Sequence, residues 1–283
     1  MQTAPSAPAA DLNFRERKLL PCGGDRHIMI LKTLETWFFW MLLYSVIGWI
    51  YESILCSVKN QRLINRGFLN GPYCPIYGSG ALLIILVLGK LRNPVLLFLL
   101  GALLACSLEY VTSYLMEKLF HARWWDYSER KFQLGGRVCL LGAVVFGAFS
   151  VLLVLVLHPP VARMTAAIPD GIFHAVSAVL FLLFSADCFV TIRGISGFHK
   201  RLEELPTAER QEGVPDLGNA RSVEPRGLEE LRAAILKKIN RQERRMLSAF
   251  PALKMVKPRC NEALSRLRRA LDRELAERRA GKR

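Results

Sequence analysis

Five long apolar stretches divide the chain, at residues 36–58, 76–91, 95–119, 138–157 and 172–192. They are too long for buried strands and lack the alternation of a membrane barrel, so the pattern predicts helices. Crossing a hydrocarbon core about 30 Å thick takes about 20 apolar residues, and four of the five reach that length. The second is short. It either starts earlier, near Tyr73, or is a half-span entered through the Gly/Pro-rich segment that precedes it. Lys90, Arg92, Asn93 and Pro94 form a polar turn, with Pro94 suited to the first turn of the next helix, so the second and third runs make a hairpin. The expected fold is an all-α membrane protein: five transmembrane helices and a basic amphipathic helical C-terminal tail.

Beyond residue 225 a different pattern takes over. Leu228, Leu231, Ile235 and Ile239 recur at helical spacing and lead to Met246, Leu247 and Phe250, where Pro251 intervenes. A second amphipathic run follows Pro258, with Leu264, Leu267, Leu271 and Leu275 three and four apart. The chain therefore divides into an N-terminal segment expected to be disordered (1–33), a five-span domain (34–193), a polar linker (194–225) and a basic helical hairpin (226–283).

Charge agrees with this division. The 283 residues are 52% hydrophobic yet carry 39 Lys+Arg against 24 Asp+Glu, a net of +15. Residues 193–283 hold 23 of the basic and 13 of the acidic side chains, a net of +10, so the basic surplus lies mainly in the tail. An apolar body with a basic aqueous extension excludes a mainly soluble enzyme, a collagen-like chain and a wholly disordered one. The polar face of the tail suits anionic lipid head groups, at about 1 kcal/mol per basic residue near the surface, and the two amphipathic helices are alternatively expected to pack on themselves. Nucleic acid is not expected, because the tail has a single aromatic residue after Phe198 and no base-reading motif.

With five spans the ends lie on opposite faces. The tail face collects 12 basic residues and the other face 8, which favours a cytoplasmic tail. Much of the opposing count comes from residues 1–28, which have neither the apolar run nor the cleavage site of a signal peptide. A start of translation at Met29 would reduce it to 4. Peptide mapping of the native N-terminus tests that expectation.

Three acids stand inside apolar runs, where an ionised group costs about 2.5 to 3.5 kcal/mol at mid-helix on insertion scales. Glu52 and Glu109 fall at similar depth on the tail side, and Asp187 lies deep in the fifth run. One reading makes them an intramembrane polar site lining a pathway. The other pairs them with loop arginines, Arg66 or Arg137, and has them fix helix packing. Asp187 needs a partner from elsewhere, since Arg193 is off its face.

Two loops on the same side carry more special residues than linkers need. The first contains Arg66, Gly67, Gly71, Pro72, Tyr73, Pro75, Tyr77 and Gly78. Its glycines and prolines dictate turns, and its aromatic residues suit a re-entrant or interfacial segment. The second contains Trp124, Trp125, Asp126, Tyr127, Gly136 and Arg137. Adjacent tryptophans read as an aromatic belt, while Asp126 is placed to accept from Arg66 or Arg137 and join the loops.

In order, the motifs GWxxE, NRGFLNGPYCPIYGSG, LEY, WWDYS and FxLxGRxCL resemble a family of bacterial multi-pass proteins known as type IV ABC transporters, over roughly residues 35–193. Gln133 stands where the resemblance leads one to expect Asn. The resemblance implies a permease-type subunit of a bacterial inner membrane and brings no catalytic residues with it. No GxxxxGK[ST] phosphate loop occurs in these 283 residues, so a transport role implies a separate ATPase subunit. Five spans are few for a complete pathway, which points to a homo-oligomer or a partner.

An enzyme is not expected. The five histidines show no metal-ligand spacing, no nucleophilic constellation lies on one face, and no cofactor or metal is implied. The alternative is a non-catalytic scaffold or sensor that recruits a partner through its loops and tail.

Overall fold

The computed structural model describes residues 23–61, 64–203 and 240–280. Among them the chain is mostly helical, with four helices long and apolar enough to cross a membrane: His27–Val58, Pro94–Phe120, Leu140–Ala166 and Asp170–Glu203. In chain order the elements are α1 (Gly23–Asn60), α2 (Pro75–Leu88) and α3 (Pro94–Phe120), the short strands β1 (Ala122–Arg123), β2 (Gln133–Leu134) and β3 (Val138–Cys139), then α4 (Leu140–Leu152). A π-helical turn (Leu153–Leu157) leads into α5 (His158–Ala166), followed by α6 (Asp170–Ile195), α7 (Phe198–Glu203), α8 (Arg241–Ala249), β4 (Lys254–Met255) and α9 (Pro258–Ala280). The π turn has a local cause. Pro159 and Pro160, just beyond it, withdraw two N–H donors from the helical ladder, and the preceding turn widens.

The second apolar run forms a helix of only 14 residues, about 21 Å long and short of the bilayer core. What precedes it is extended chain lying along α1. Ile64 N–H donates to Ser57 Oγ at 3.0 Å, Arg66 N–H to Ser53 Oγ at 3.2 Å, and Cys74 N–H to the Ser45 carbonyl at 2.9 Å. From Ser57 to Ser45 this is about 18 Å of helix axis. The Gly/Pro-rich loop therefore descends beside α1, and α2 begins level with its middle.

Small residues set the helix spacing. A Cβ on Gly78 would collide with the Met41 carbonyl and Ser45 Oγ of α1, and one on Gly101 of α3 would collide with Ser150 of α4. Gly147 of α4 faces Phe98 in the same way. Away from the tail, Tyr44, Ile84, Leu88, Leu97 and Leu153 close a shared core. On that side Lys32 pairs with Asp170 at 2.6 Å, tying α1 to the start of α6.

A second core lies beyond the opposite helix ends, where the tail folds back. Leu247, Phe250, Leu253, Leu264 and Leu267 bury themselves against Trp124, Ala122, Phe198 and Leu202. Strand β4 pairs antiparallel with β1, Ala122 opposite Met255 and Arg123 opposite Lys254. Asn240 caps α8 through a reciprocal capping box with Glu243, whose buried carboxylate is ion-paired with Arg201 of α7.

Two expectations change. Residues 23–33, assigned to a disordered segment, form the first turns of α1, where the apolar run 28–31 and Lys32 continue the helix. Residues 198–203, assigned to the linker, form α7, because Phe198 and Leu202 belong to the tail core. The tail helices pack their apolar faces on protein, the self-packing alternative. The expected helix over 226–239, the rest of the linker and residues 1–22 lie outside the described residues.

Candidate functional site

Each of the three acids set within the apolar helices is the anchor of a loop. Asp187 stands eight residues before the end of α6, about 12 Å along the axis. It accepts Asn70 N–H at 3.1 Å, Asn70 Nδ2 at 2.8 Å, Gly71 N–H at 2.8 Å and the Tyr73 hydroxyl at 2.6 Å. The partner that Asp187 needed is thus the turn of the first loop, with Pro72 exposed at its tip.

Glu52 lies at the same distance from the end of α1. It accepts the Tyr77 hydroxyl at 2.6 Å and lies 3.6 Å from Arg66 Nε, so the packing role expected of a loop arginine is filled here by Arg66. Glu109 is 11 residues short of the end of α3 and only 6% exposed. It accepts the Tyr127 hydroxyl at 3.1 Å. Burial and then the Glu109 carboxylate push the Tyr127 phenol well above its ordinary value, holding it as a donor. The second loop, like the first, therefore reaches down inside the ring of helix ends. Non-helical backbone at such depth is tolerated because protein surrounds it.

Arg137, the other arginine considered for these acids, goes elsewhere. It pairs with Glu117 at 2.9 Å, donates to Ser113 Oγ at 3.1 Å and lies over the rings of Tyr110 and Tyr114. Nor does Asp126 meet Arg66 or Arg137. Its partners are Lys254 of the tail at 2.5 Å and, more loosely, Arg123 at 4.0 Å, and it also caps Ser128, whose N–H donates at 3.0 Å. Burial works against the charged form of Asp126, but the bonds from Lys254 and Ser128 outweigh it and lower the pKa to about 2. Gly136, with φ +68°, closes the β2–β3 hairpin against Asp126 and Ser128, and its carbonyl accepts Tyr127 N–H at 2.9 Å.

The loops are joined, but through the tail. Arg66 Nη1 donates to the Ala249 carbonyl at 2.5 Å and its guanidinium lies 4.4 Å from the Phe250 ring centroid. Arg245 returns the contact, donating to the carbonyls of Gly67 at 3.1 Å and Phe68 at 2.7 Å. Trp124 is not a belt residue at the lipid surface. It is 4% exposed and packs edge-on against Phe68 and Phe250. Trp125 donates to the Arg137 carbonyl at 3.1 Å.

These anchors enclose a cavity of about 500 Å³ among α1–α4 and the π turn. Glu52, Arg66, Glu109, Trp124 and Tyr127 line its tail-side end, where Phe250 closes the wall. Ile47, Ile84, Phe146, Phe149 and Leu153 line the rest, which is almost wholly apolar. Gly67, Pro75, Tyr77 and Trp125 also border it. Asp187, Gly71, Tyr73, Gly78, Gly136 and Arg137 do not, and act by holding loops and helices in place. No cluster of three or more metal-ligating side chains occurs among the described residues.

Sequence reasoning missed Ser45, Asn70, Arg245, Phe250 and Lys254. The helical spacing of Phe250 marked it as core without saying which core, and nothing local reveals that Lys254 meets Asp126.

The family described as "Putative ABC-transporter type IV" matches residues 38–192, more than half of the chain, and the protein belongs to that family. It is a membrane protein by its apolar helices as well. Comparison with curated proteins and with solved structures found no match.

Proposed function

We propose that the protein is a permease-type component of a transport system whose ATPase is a separate subunit. The observation that supports this reading is the cavity inside the helices, apolar over most of its wall with two acids at one end. A chamber of that size, within the usual range of small-molecule sites, is more than helix packing needs. Five crossings fit the reading, the second made by the descending first loop together with α2. The tail is then cytoplasmic, as the distribution of Lys and Arg favours, and the membrane is a bacterial inner membrane. Docked on both loops, the tail offers an ATPase a folded surface that senses the chamber through Arg66 and Phe250.

A second reading, a non-catalytic scaffold, is favoured by the same folded cap, which presents a fixed surface to a partner. One experiment separates them. Tagged protein is purified in mild detergent and its companions identified by mass spectrometry. Stoichiometric recovery of a nucleotide-binding ATPase supports the permease; recovery of itself alone, or of a non-ATPase partner, supports the scaffold. Self-association in the same preparation reports on the homo-oligomer.

A further inference from the structure

The hairpin formed by β2 and β3 carries an apolar tip that the protein leaves uncovered. Every residue from Ser128 to Gly135 is exposed, and the two large apolar ones, Phe132 and Leu134, are exposed at 78% and 65%. Phe132 also holds φ +54°, a left-handed conformation that is an outlier for a bulky side chain. Strain of that kind clusters where a protein binds something, and here it presents an aromatic ring to the outside. We propose that this hairpin is an interfacial anchor: Phe132 and Leu134 enter the tail-side leaflet, and Arg130 and Lys131 hold the head groups of anionic lipids beside them.

Two attachments set its level. The Phe132 carbonyl accepts Leu140 N–H at 2.9 Å, which places this residue at the first turn of α4, part of a helix long enough to cross a membrane. Leu140, Leu141 and Val144 begin the exposed apolar face of that helix, and Phe132 continues it beyond the helix end. On the other side of the hairpin Arg137 donates to Ser113 of α3 at 3.1 Å and lies over the Tyr110 and Tyr114 rings. At the helical rise α3 is about 40 Å long, so when centred on a core of about 30 Å it overhangs by about 5 Å at each end. Tyr114 stands about 9 Å from its end and therefore lies at the hydrocarbon boundary, the depth that aromatic belts occupy.

Charge selects the lipid. Arg130 and Lys131 are exposed, and neither makes an ion pair among the described residues. Lys118, exposed on α3, lies over the Tyr114 ring at 5.6 Å and adds a third cation, against the single exposed acid of the hairpin, Glu129. Basic residues flanking apolar side chains at the bilayer boundary favour an anionic surface, each by about fivefold.

The test puts a reporter at the tip. In the full chain reconstituted into vesicles, Phe132→Trp adds one indole, whose emission is obtained by subtracting that of the parent protein. Leu134→Trp does the same at a position outside the left-handed region, and both side chains are exposed, so neither change disturbs packing. Lipid brominated on its acyl chain should quench the added indole at both positions. At equal low mole fraction, brominated phosphatidylglycerol should quench about fivefold more effectively than brominated phosphatidylcholine. Arg130→Gln together with Lys131→Gln should remove that preference and leave quenching by phosphatidylcholine intact. Absence of quenching by either lipid overturns the anchor, and if iodide in the water also fails to quench, the tip is covered by a second copy or a partner subunit instead. Equal quenching by the two lipids, or a preference that survives the double substitution, overturns the role of Arg130 and Lys131.

Discussion

The Tyr127 hydroxyl donates to Glu109 at 3.1 Å, so a loop residue reaches a carboxylate set 11 residues inside the end of α3. One bond therefore ties the second loop to the membrane domain, while the other carboxylate oxygen is buried without a partner among the described residues. Tyr127→Phe should lower stability by about 1 to 3 kcal/mol, because Glu109 then keeps neither partner. In a Glu109→Leu background the same change should cost little. Thermal unfolding of the four proteins in detergent gives the coupling, and equal costs in both backgrounds would refute the link.

Asp187 concentrates four donors of the first loop. Asp187→Ala should destabilise by about 2 to 4 kcal/mol, more than loss of a single hydrogen bond, since backbone N–H groups of Asn70 and Gly71 are left without an acceptor. Protection of those two amides in hydrogen exchange should fall first. Unchanged protection would show that the loop does not depend on α6.

Arg66 meets the membrane domain at Glu52 and the tail at Ala249 and Phe250. Arg66→Lys retains the charge but lacks the planar fork, so it should weaken docking of α8 by about 1 to 2 kcal/mol. Limited proteolysis between residues 249 and 258 reads this out as faster cleavage. Cleavage at the native rate would exclude Arg66 as a clamp.

Acid should loosen the same cap through Asp126. Its carboxyl titrates at about 2 in the folded protein, below the ordinary 3.8. The stabilisation from Lys254 and Ser128 is therefore complete above about pH 4 and is lost as the pH falls through about 2. Tail docking, followed by the same proteolysis, should weaken across that window, and Asp126→Asn should abolish the dependence. A transition near neutral pH would point to another group.

At the crossing of α1 and α2, Gly78→Ala forces a Cβ into the Met41 carbonyl and Ser45. Backbone cannot yield as a side-chain tip does, so a loss of about 1 to 3 kcal/mol is expected, with lower yield of folded protein in detergent. Gly80→Ala meets only Leu108 at 3.5 Å and should be tolerated. Similar losses at both positions would count against this crossing.

The linear pattern determined what must be buried in lipid and which residues were out of place there. Helical runs, their polar turn at Asn93, the three acids and the two motif loops are local facts, because hydropathy, proline and glycine act within a few residues. The shortness of the second run was legible too. Its consequence, a loop descending beside α1 from Ser57 to Ser45, was one of two alternatives.

Only tertiary structure decided the partners. Asp126 meets Lys254, 128 residues away, and not Arg66 or Arg137, because β4 pairs with β1 and brings that lysine across. Asp187 received the first loop, and Arg137 was taken by Glu117. Amphipathic spacing in the tail specified an apolar face but not the surface it covers. That face covers Trp124 and Phe68, because contacts distant in sequence can be selected only by a closed fold.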